Sequence, residues 1–143
     1  MHSKHKGTMA ETKVVADLYS KGFSASIVVD DLMPFDLIAI DGAYNLYKIQ
    51  VKYCKVTNSG SAKLELRSCM SNKNLSYTKK YTRNEVDIFA MYVPEKDICL
   101  YVKSDILDHV KSQFTMRLTD TTKSNQQKGV HYSRDYMDFP SSK

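Results

Sequence analysis

PFDLIAIDGAYNLYKIQVKYCKV, residues 34–56, has the pattern of a β-hairpin. Apolar, strand-forming residues fill Phe35 to Ile40 and Leu46 to Val56, and an Asp-Gly turn signal lies between them. Side chains along a strand alternate between its two faces. If the turn is centred near Ala43, Asp36 lies opposite Gln50, and Lys52 follows on the same face. Opposed residues have Cβ atoms roughly 4.5–5.5 Å apart, so an acid, an amide and an amine converge.

A helix is predicted before the hairpin, over residues 8–21. Thr8 and Glu11 fit a capping box, and Ala10, Val14 and Leu18 follow at helical spacing. Further strands are predicted over residues 24–29, 64–70, 87–93 and 98–103, with a short helix from Ser104 towards His109. The segment from Ser71 to Glu85 and the tail from Thr119 are polar. This order of elements predicts a fold of the α/β class, with an α+β arrangement around a mixed sheet. We expect one domain that spans residues 1–143.

Composition indicates a globular domain with an anionic partner. The chain has 143 residues, 42% hydrophobic and 26% charged, with a formal net charge of +5. A basic domain of this size favours a polyanion such as nucleic acid. No apolar run reaches the roughly 20 residues of a membrane span, and no signal peptide is evident. Three cysteines without paired spacing argue against a disulfide framework and a CxxC zinc site, so we expect a cytoplasmic protein without a membrane partner.

Glu11 extends the predicted cluster of Asp36, Gln50 and Lys52. Its spacing from Val14 and Leu18 places a carboxylate on the apolar side of the helix, where it needs a partner such as a shared metal ion. Simpler interpretations stay open at this point. Glu11 can serve only as the capping partner of Thr8, Asp36 can be a surface acid, and the other two can lie on a solvated strand face.

The same residues resemble a known family. Pro34-Phe35-Asp36 followed by Gln50-Val51-Lys52 is similar to the PD-(D/E)XK nuclease motif. The segment from Lys6 to Glu11 resembles the N-terminal helix of archaeal Holliday junction resolvases and of cyanobacterial-type group I intron homing endonucleases. The homing branch is the closer match, since it tolerates Gln at the usual acid position. The resemblance implies a restriction-endonuclease-like core, an N-terminal helix, antiparallel strands and a central mixed sheet.

The resemblance also implies a metal site and roles for its residues. Mg²⁺ or Mn²⁺ would be held by Asp36, by Glu11, by the side-chain oxygen of Gln50 and by the main-chain carbonyl of Val51. Lys52 would orient or deprotonate the attacking water and stabilise developing charge. Gln50 departs from the motif because an amide carries no negative charge. Glu11 can make up that charge, the nuclease can be weak, or an active-site acid can have been replaced.

Basic and amide side chains predict a DNA-contacting surface, concentrated near residues 71–85 and 119–136. Its predicted members are Lys48, Lys55, Lys73, Lys79, Lys80, Arg83, Lys123, Asn125, Gln126 and Lys128. One site cuts one strand, so cutting double-stranded DNA implies a homodimer or a homotetramer built as a dimer of dimers.

Three functions remain open from the sequence. The first is a metal-dependent, site-specific double-strand DNA endonuclease of the intron-homing kind. The second is a Holliday junction resolvase, which shares the catalytic core but recognises shape. The third is a non-catalytic DNA-binding module that retains the nuclease fold.

Overall fold

A computed structural model describes residues 1–71, 76–119 and 130–140 of the chain. Its helix and strands are, in order, α1 (Ser3–Ser20), β1 (Ser24–Ile27), β2 (Leu37–Ile40), β3 (Leu46–Tyr53), β4 (Ser61–Glu65), β5 (Arg67–Ser71), β6 (Ser76–Lys80), β7 (Ile88–Val93), β8 (Ile98–Lys103) and β9 (Gln113–Arg117). Short 3₁₀ turns cover Ser104–Asp108 and Ser133–Tyr136.

A five-stranded sheet forms the centre, in the order β1-β2-β3-β7-β8. Strands β3 and β7 are parallel, while the other neighbours are antiparallel. Helix α1 packs on one face, and the two-stranded sheet of β4 and β9 packs on the other. The predicted α+β fold with a mixed sheet is therefore confirmed.

Helix α1 begins five residues earlier than the capping-box prediction. The N-cap is His2, whose Nδ1 accepts a hydrogen bond from the Lys4 N–H at 3.2 Å, and Thr8 lies inside the helix. The predicted Thr8–Glu11 box is wrong because His2 supplies the cap acceptor more than a turn upstream. The predicted apolar face is confirmed by the burial of Ala10, Val14 and Leu18. Among the described residues, no helix is both long and apolar enough to cross a membrane.

The β2–β3 hairpin has the predicted register. Leu37 lies opposite Ile49, and Ile38 lies opposite Lys48. Asp41 holds the turn, since its carboxylate accepts hydrogen bonds from the backbone N–H groups of Ala43 and Asn45, both at 2.9 Å. This arrangement continues towards the open end of the hairpin, where Asp36 and Gln50 lie.

The segment after β3 differs from the prediction in three places. The single strand predicted over residues 64–70 is two strands, β4 and β5, separated at the fully buried Leu66. The segment from Ser71 to Glu85, for which the sequence indicated only polarity, contains β6, which pairs with β5. Strand β9 was missed, although Gln113 to Arg117 alternates polar and apolar residues in the period of a strand. Each missed strand is short and half polar, so hydrophobicity alone gave little signal.

The tail predicted as weakly patterned returns to the core. Phe139 is buried among the residues under α1, with its ring centroid 5.1 Å from that of Tyr47 and 5.4 Å from that of Tyr101. Such aromatic pairs stabilise a core beyond simple area burial. The 3₁₀ turn at Ser104–Asp108 agrees with the short helix predicted there.

Candidate active site

Asp36 is fixed by the backbone of the neighbouring strand. Its N–H donates to the carbonyl of Ile49 at 2.8 Å, and its Oδ2 accepts the N–H of Val51 at 2.9 Å. Burial raises the pKa of Asp36, although the Val51 hydrogen bond and the charge of Lys52 offset part of that rise. The carboxylate is thus held rigidly while its charge remains poorly compensated.

Glu11 brings a second carboxylate to Asp36 from the helix layer. Burial raises the pKa of Glu11, and the negative charges of Asp36 and Asp31 raise it further. Burial disfavours the ionised form of both acids, and their negative charges repel each other. A cation bound between them would stabilise the ionised forms. The carboxylate of Glu11 is not used in a helix cap, because α1 begins at Ser3.

Gln50 and Lys52 project from β3 on the face away from α1. The neighbours Ile49 and Val51 are buried beneath the helix, as alternation along a strand requires. The Gln50 Nε2 donates to the main-chain carbonyl of Val51 at 3.3 Å. The Lys52 Nζ donates to the Tyr81 hydroxyl at 3.2 Å and lies 5.1 Å from the centroid of that ring.

A cleft of about 330 Å³ opens beside these residues. It is lined by Asp31, Leu32, Met33, Pro34, Asp36, Gln50, Ser68, Lys79, Lys80, Tyr81 and Glu85. Of the four predicted catalytic side chains, Asp36 and Gln50 line the cleft, whereas the charges of Glu11 and Lys52 reach Asp36 from beside it. The cleft therefore has the loop before β2 on one side and the β5–β6 hairpin on the other.

Comparison with known proteins identifies the family. The model of the PD-(D/E)XK endonuclease family matches residues 1–139. The chain belongs to the PD-(D/E)XK endonuclease family. No curated protein matches the sequence.

Two solved structures share the fold. The structure of the bacterial homing endonuclease I-Ssp6803I superposes with a TM-score of 0.78 and 21% identity, covering 95% of this chain and 88% of that one. The Holliday junction resolvase Hjc from the archaeal hyperthermophile Archaeoglobus fulgidus superposes with a TM-score of 0.50 and 19% identity, covering 78% of this chain and 84% of that one. At these identities the likeness shows the fold, and it confirms the restriction-endonuclease-like core.

PD-(D/E)XK nucleases generally use divalent metal ions, and the donors in this chain fit such an ion. Asp36 and Glu11 offer carboxylate oxygens, and Gln50 and Val51 offer neutral ones. Mg²⁺ takes oxygen ligands and needs only one or two carboxylates, since it retains several waters. In the described ranges, no group of three or more His, Cys, Asp or Glu side chains is placed to hold a metal.

The predicted DNA-contacting residues fall into three groups. Lys79 and Lys80 line the cleft and are exposed, and Lys79 also forms an ion pair with Glu85 at 3.1 Å. Away from the cleft, Arg83 pairs with Asp108 at 2.8 Å, Lys48 donates to the carbonyl of Asn84, and Lys55 is exposed. The remaining predicted residues lie outside the described part of the chain: Lys73, Lys123, Asn125, Gln126 and Lys128.

Tyr81 and Asp31 are site residues that the sequence argument did not place. Tyr81 is buried and contacts Lys52, and Asp31 both lines the cleft and acts on the pKa of Glu11. Asp31 had a weak signal, because it lies in the polar loop just before Asp36. Tyr81 had none, since it lies just beyond β6 and is 29 positions away from Lys52 in the chain.

Glu11→Gln is expected to make the protein more stable at neutral pH. An acid with a raised pKa in the folded state contributes its stability at low pH and loses it as pH rises through the raised pKa. Above the ordinary pKa of Glu11, 4.5, the parent therefore carries a penalty that the variant lacks. Because Glu11 is partly exposed, we expect Tm to rise by only about 1–2 °C near neutral pH.

Thermal unfolding of both proteins across a pH series, without divalent metal, measures this effect. The gain should shrink as pH falls below the ordinary pKa of the carboxyl group. Glu95→Gln makes the same chemical change at an exposed position and is a control outside the cluster. A variant less stable than the parent at neutral pH, with no dependence on pH, would contradict the placement of Glu11 beside Asp36.

Proposed function

We propose that this chain is a metal-dependent endonuclease that cuts both strands of specific DNA sites, of the intron-homing kind. The observation that supports it is that two carboxyl groups with raised pKa values, Glu11 and Asp36, lie near Lys52 at one edge of a cleft. The superposition with a homing endonuclease over 95% of the chain supports the homing assignment.

In this proposal the residues share the work of phosphodiester hydrolysis. A divalent metal supplies charge neutralisation at the phosphate and makes a water more acidic. Asp36 is the principal anionic ligand, Glu11 adds a second charge, and Gln50 and Val51 contribute neutral oxygens. Lys52 orients the attacking water and stabilises the charge that develops on the phosphate. Glu11 supplies the charge that Gln50 lacks at the usual acid position.

The basic residues bind the DNA backbone. Lys79 and Lys80 flank the cleft and contact the phosphates next to the scissile bond, while Lys48, Lys55 and Arg83 extend the surface. The remaining predicted contacts, Lys73, Lys123, Asn125, Gln126 and Lys128, complete it. Two copies act together as a homodimer or within a homotetramer, because each cleft cuts one strand.

Cleavage of a duplex library with Mg²⁺ tests the proposal. We expect metal-dependent double-strand cuts at a preferred sequence, which EDTA abolishes. A four-way junction in the same reaction tests resolvase activity, which the likeness to Hjc favours. Junction cutting that equals or exceeds duplex cutting, without a preferred duplex sequence, would replace the homing assignment with a resolvase.

Gln50→Glu tests whether the fold is catalytic. Restoring an acid beside Asp36 adds a charged metal ligand, so we expect cleavage to increase at low metal concentration. Asn58→Asp makes the same amide-to-acid change at an exposed turn position that does not line the cleft, and it is the matched control. If neither the parent nor Gln50→Glu nicks a supercoiled plasmid, the chain is a non-catalytic DNA-binding module.

A further inference from the structure

A second cleft lies at the end of β9, away from the candidate active site. It has a volume of about 320 Å³ and is lined by Arg117, Leu118, Thr119, Tyr132, Ser133 and Arg134. Backbone contacts hold its two sides together. The N–H of Arg117 donates to the carbonyl of His131 at 2.8 Å, and Arg117 forms an isolated parallel β-bridge with Tyr132. The described part of its lining includes two arginines and three hydroxyl-bearing residues, Thr119, Tyr132 and Ser133.

Arg117 lacks a partner for a buried polar atom. Its Nε is enclosed and forms no hydrogen bond within residues 1–71, 76–119 and 130–140. Arg67 and Arg83, by contrast, form ion pairs with Glu65 and Asp108, at 3.1 and 2.8 Å. An enclosed donor without an acceptor costs about 1–3 kcal/mol, and more when the group is charged. The Nε–H of Arg117 can therefore donate a hydrogen bond to a ligand that enters the cleft.

The other lining groups suit an anion with several oxygens. The Arg134 guanidinium stacks on the ring of Tyr132, with its carbon 4.3 Å from the ring centroid. Ser133 is buried and Thr119 is exposed at the rim, and both carry hydroxyls. A guanidinium fork matches two oxygens of a phosphate, and hydroxyls can bind the others. A phosphate group fits this chemistry better than a carboxylate, because it offers more acceptors.

We propose that this cleft binds one phosphodiester group of the DNA backbone, at a distance from the bond that is cut. That the phosphate belongs to DNA rests on the proposed function. Arg117 lies opposite Ser61, and Ser68 lines the active-site cleft. The eight residues from Ser61 to Ser68 are joined by seven Cα–Cα steps, which span at most roughly 25 Å. The cleft therefore lies at most about seven nucleotide steps from the candidate active site, at 3.4 Å per step along one strand.

The Arg117 Nε–H signal in an NMR spectrum of the parent protein reports on the cleft directly. We expect a random-sequence duplex to shift this signal at concentrations where inorganic phosphate does not. A shift produced equally well by inorganic phosphate would assign the cleft to a free anion and overturn the DNA assignment. No shift at duplex saturation would overturn the site itself while leaving the proposed endonuclease intact. Failure of the chain to bind any duplex would overturn both proposals.

Arg117→Gln adds a test by salt dependence. Losing one phosphate contact lowers the slope of log K against log salt by about 0.9. Arg117→Lys should retain part of the slope, since it keeps the charge without the fork. Lys21→Gln removes the same charge at the far end of α1, on the other layer, and should leave the slope unchanged. A slope for Arg117→Gln equal to that of the parent would contradict the proposal.

Discussion

Asp36→Asn is expected to lower metal-dependent DNA cleavage by a factor of about 10³, because metal stabilisation of the transition state contributes several kcal/mol and each 1.36 kcal/mol is tenfold. The substitution removes the proposed principal anionic metal ligand. Asn still offers an oxygen to the Val51 N–H, so the strand ends should stay in place. The fold should therefore survive, and stability at neutral pH should not fall, since burial already disfavours the charged form of Asp36.

Single-turnover cleavage of duplex DNA at saturating protein measures the effect on catalysis, and Tm measures the effect on stability. Asp138→Asn makes the same chemical change at an exposed position and is expected to behave as the parent. Excess Mn²⁺ should restore little activity, because the ligand charge is absent. Cleavage by Asp36→Asn within tenfold of the parent would place the metal elsewhere.

Lys52→Ala is expected to lower cleavage by about 10²–10³, the usual effect of removing one group that stabilises transition-state charge. DNA affinity should change by less than about threefold, since Lys52 lies beside the cleft and is not one of the basic residues that line it. The charge of Lys52 also lowers the pKa of Asp36. Its removal should therefore move the acidic limb of the pH–rate profile to higher pH.

Tyr81→Phe provides the matched comparison for Lys52. It keeps the ring that lies under the ammonium group and removes the hydroxyl to which Lys52 donates. A hydrogen bond to a charged group contributes about 1.5 kcal/mol or more, so a loss of roughly tenfold is expected. If Lys52→Ala cuts DNA within about threefold of the parent, Lys52 has no catalytic role, and Tyr81→Phe should then have no effect either.

The hairpin could be predicted because its information is local. Alternating burial along β2 and β3 and the turn at Asp41 fix one register, and at the end of that register Asp36 is hydrogen-bonded to the backbone of Ile49 and Val51. A shift by one residue would turn every apolar side chain away from α1, so few alternatives compete. The family motif falls within this stretch, and membership of the family is confirmed by the match over residues 1–139.

The opposite wall of the cleft could not be predicted because its residues come from distant, polar segments. Strand β6 and Tyr81 carry no apolar repeat that distinguishes them from a solvated loop, and their position depends on pairing with β5. The break between β4 and β5 is set by Leu66, which lies buried against other layers. The start of α1 depended on a histidine cap, which is less common than Ser, Thr, Asp or Asn.

The parallel pairing of β3 with β7 has a consequence for synthesis of the protein. Lys48 and Asp87 join these strands, with the backbone N–H of Asp87 donating to the Lys48 carbonyl at 2.9 Å. Pairings between such distant segments form late, because loop closure must come first. During synthesis, β3 can therefore pair with β2 but lacks its parallel neighbour until β7 has left the ribosome. The central sheet that carries Asp36 and Gln50 is therefore expected to be complete only after β7 and β8 have been synthesised.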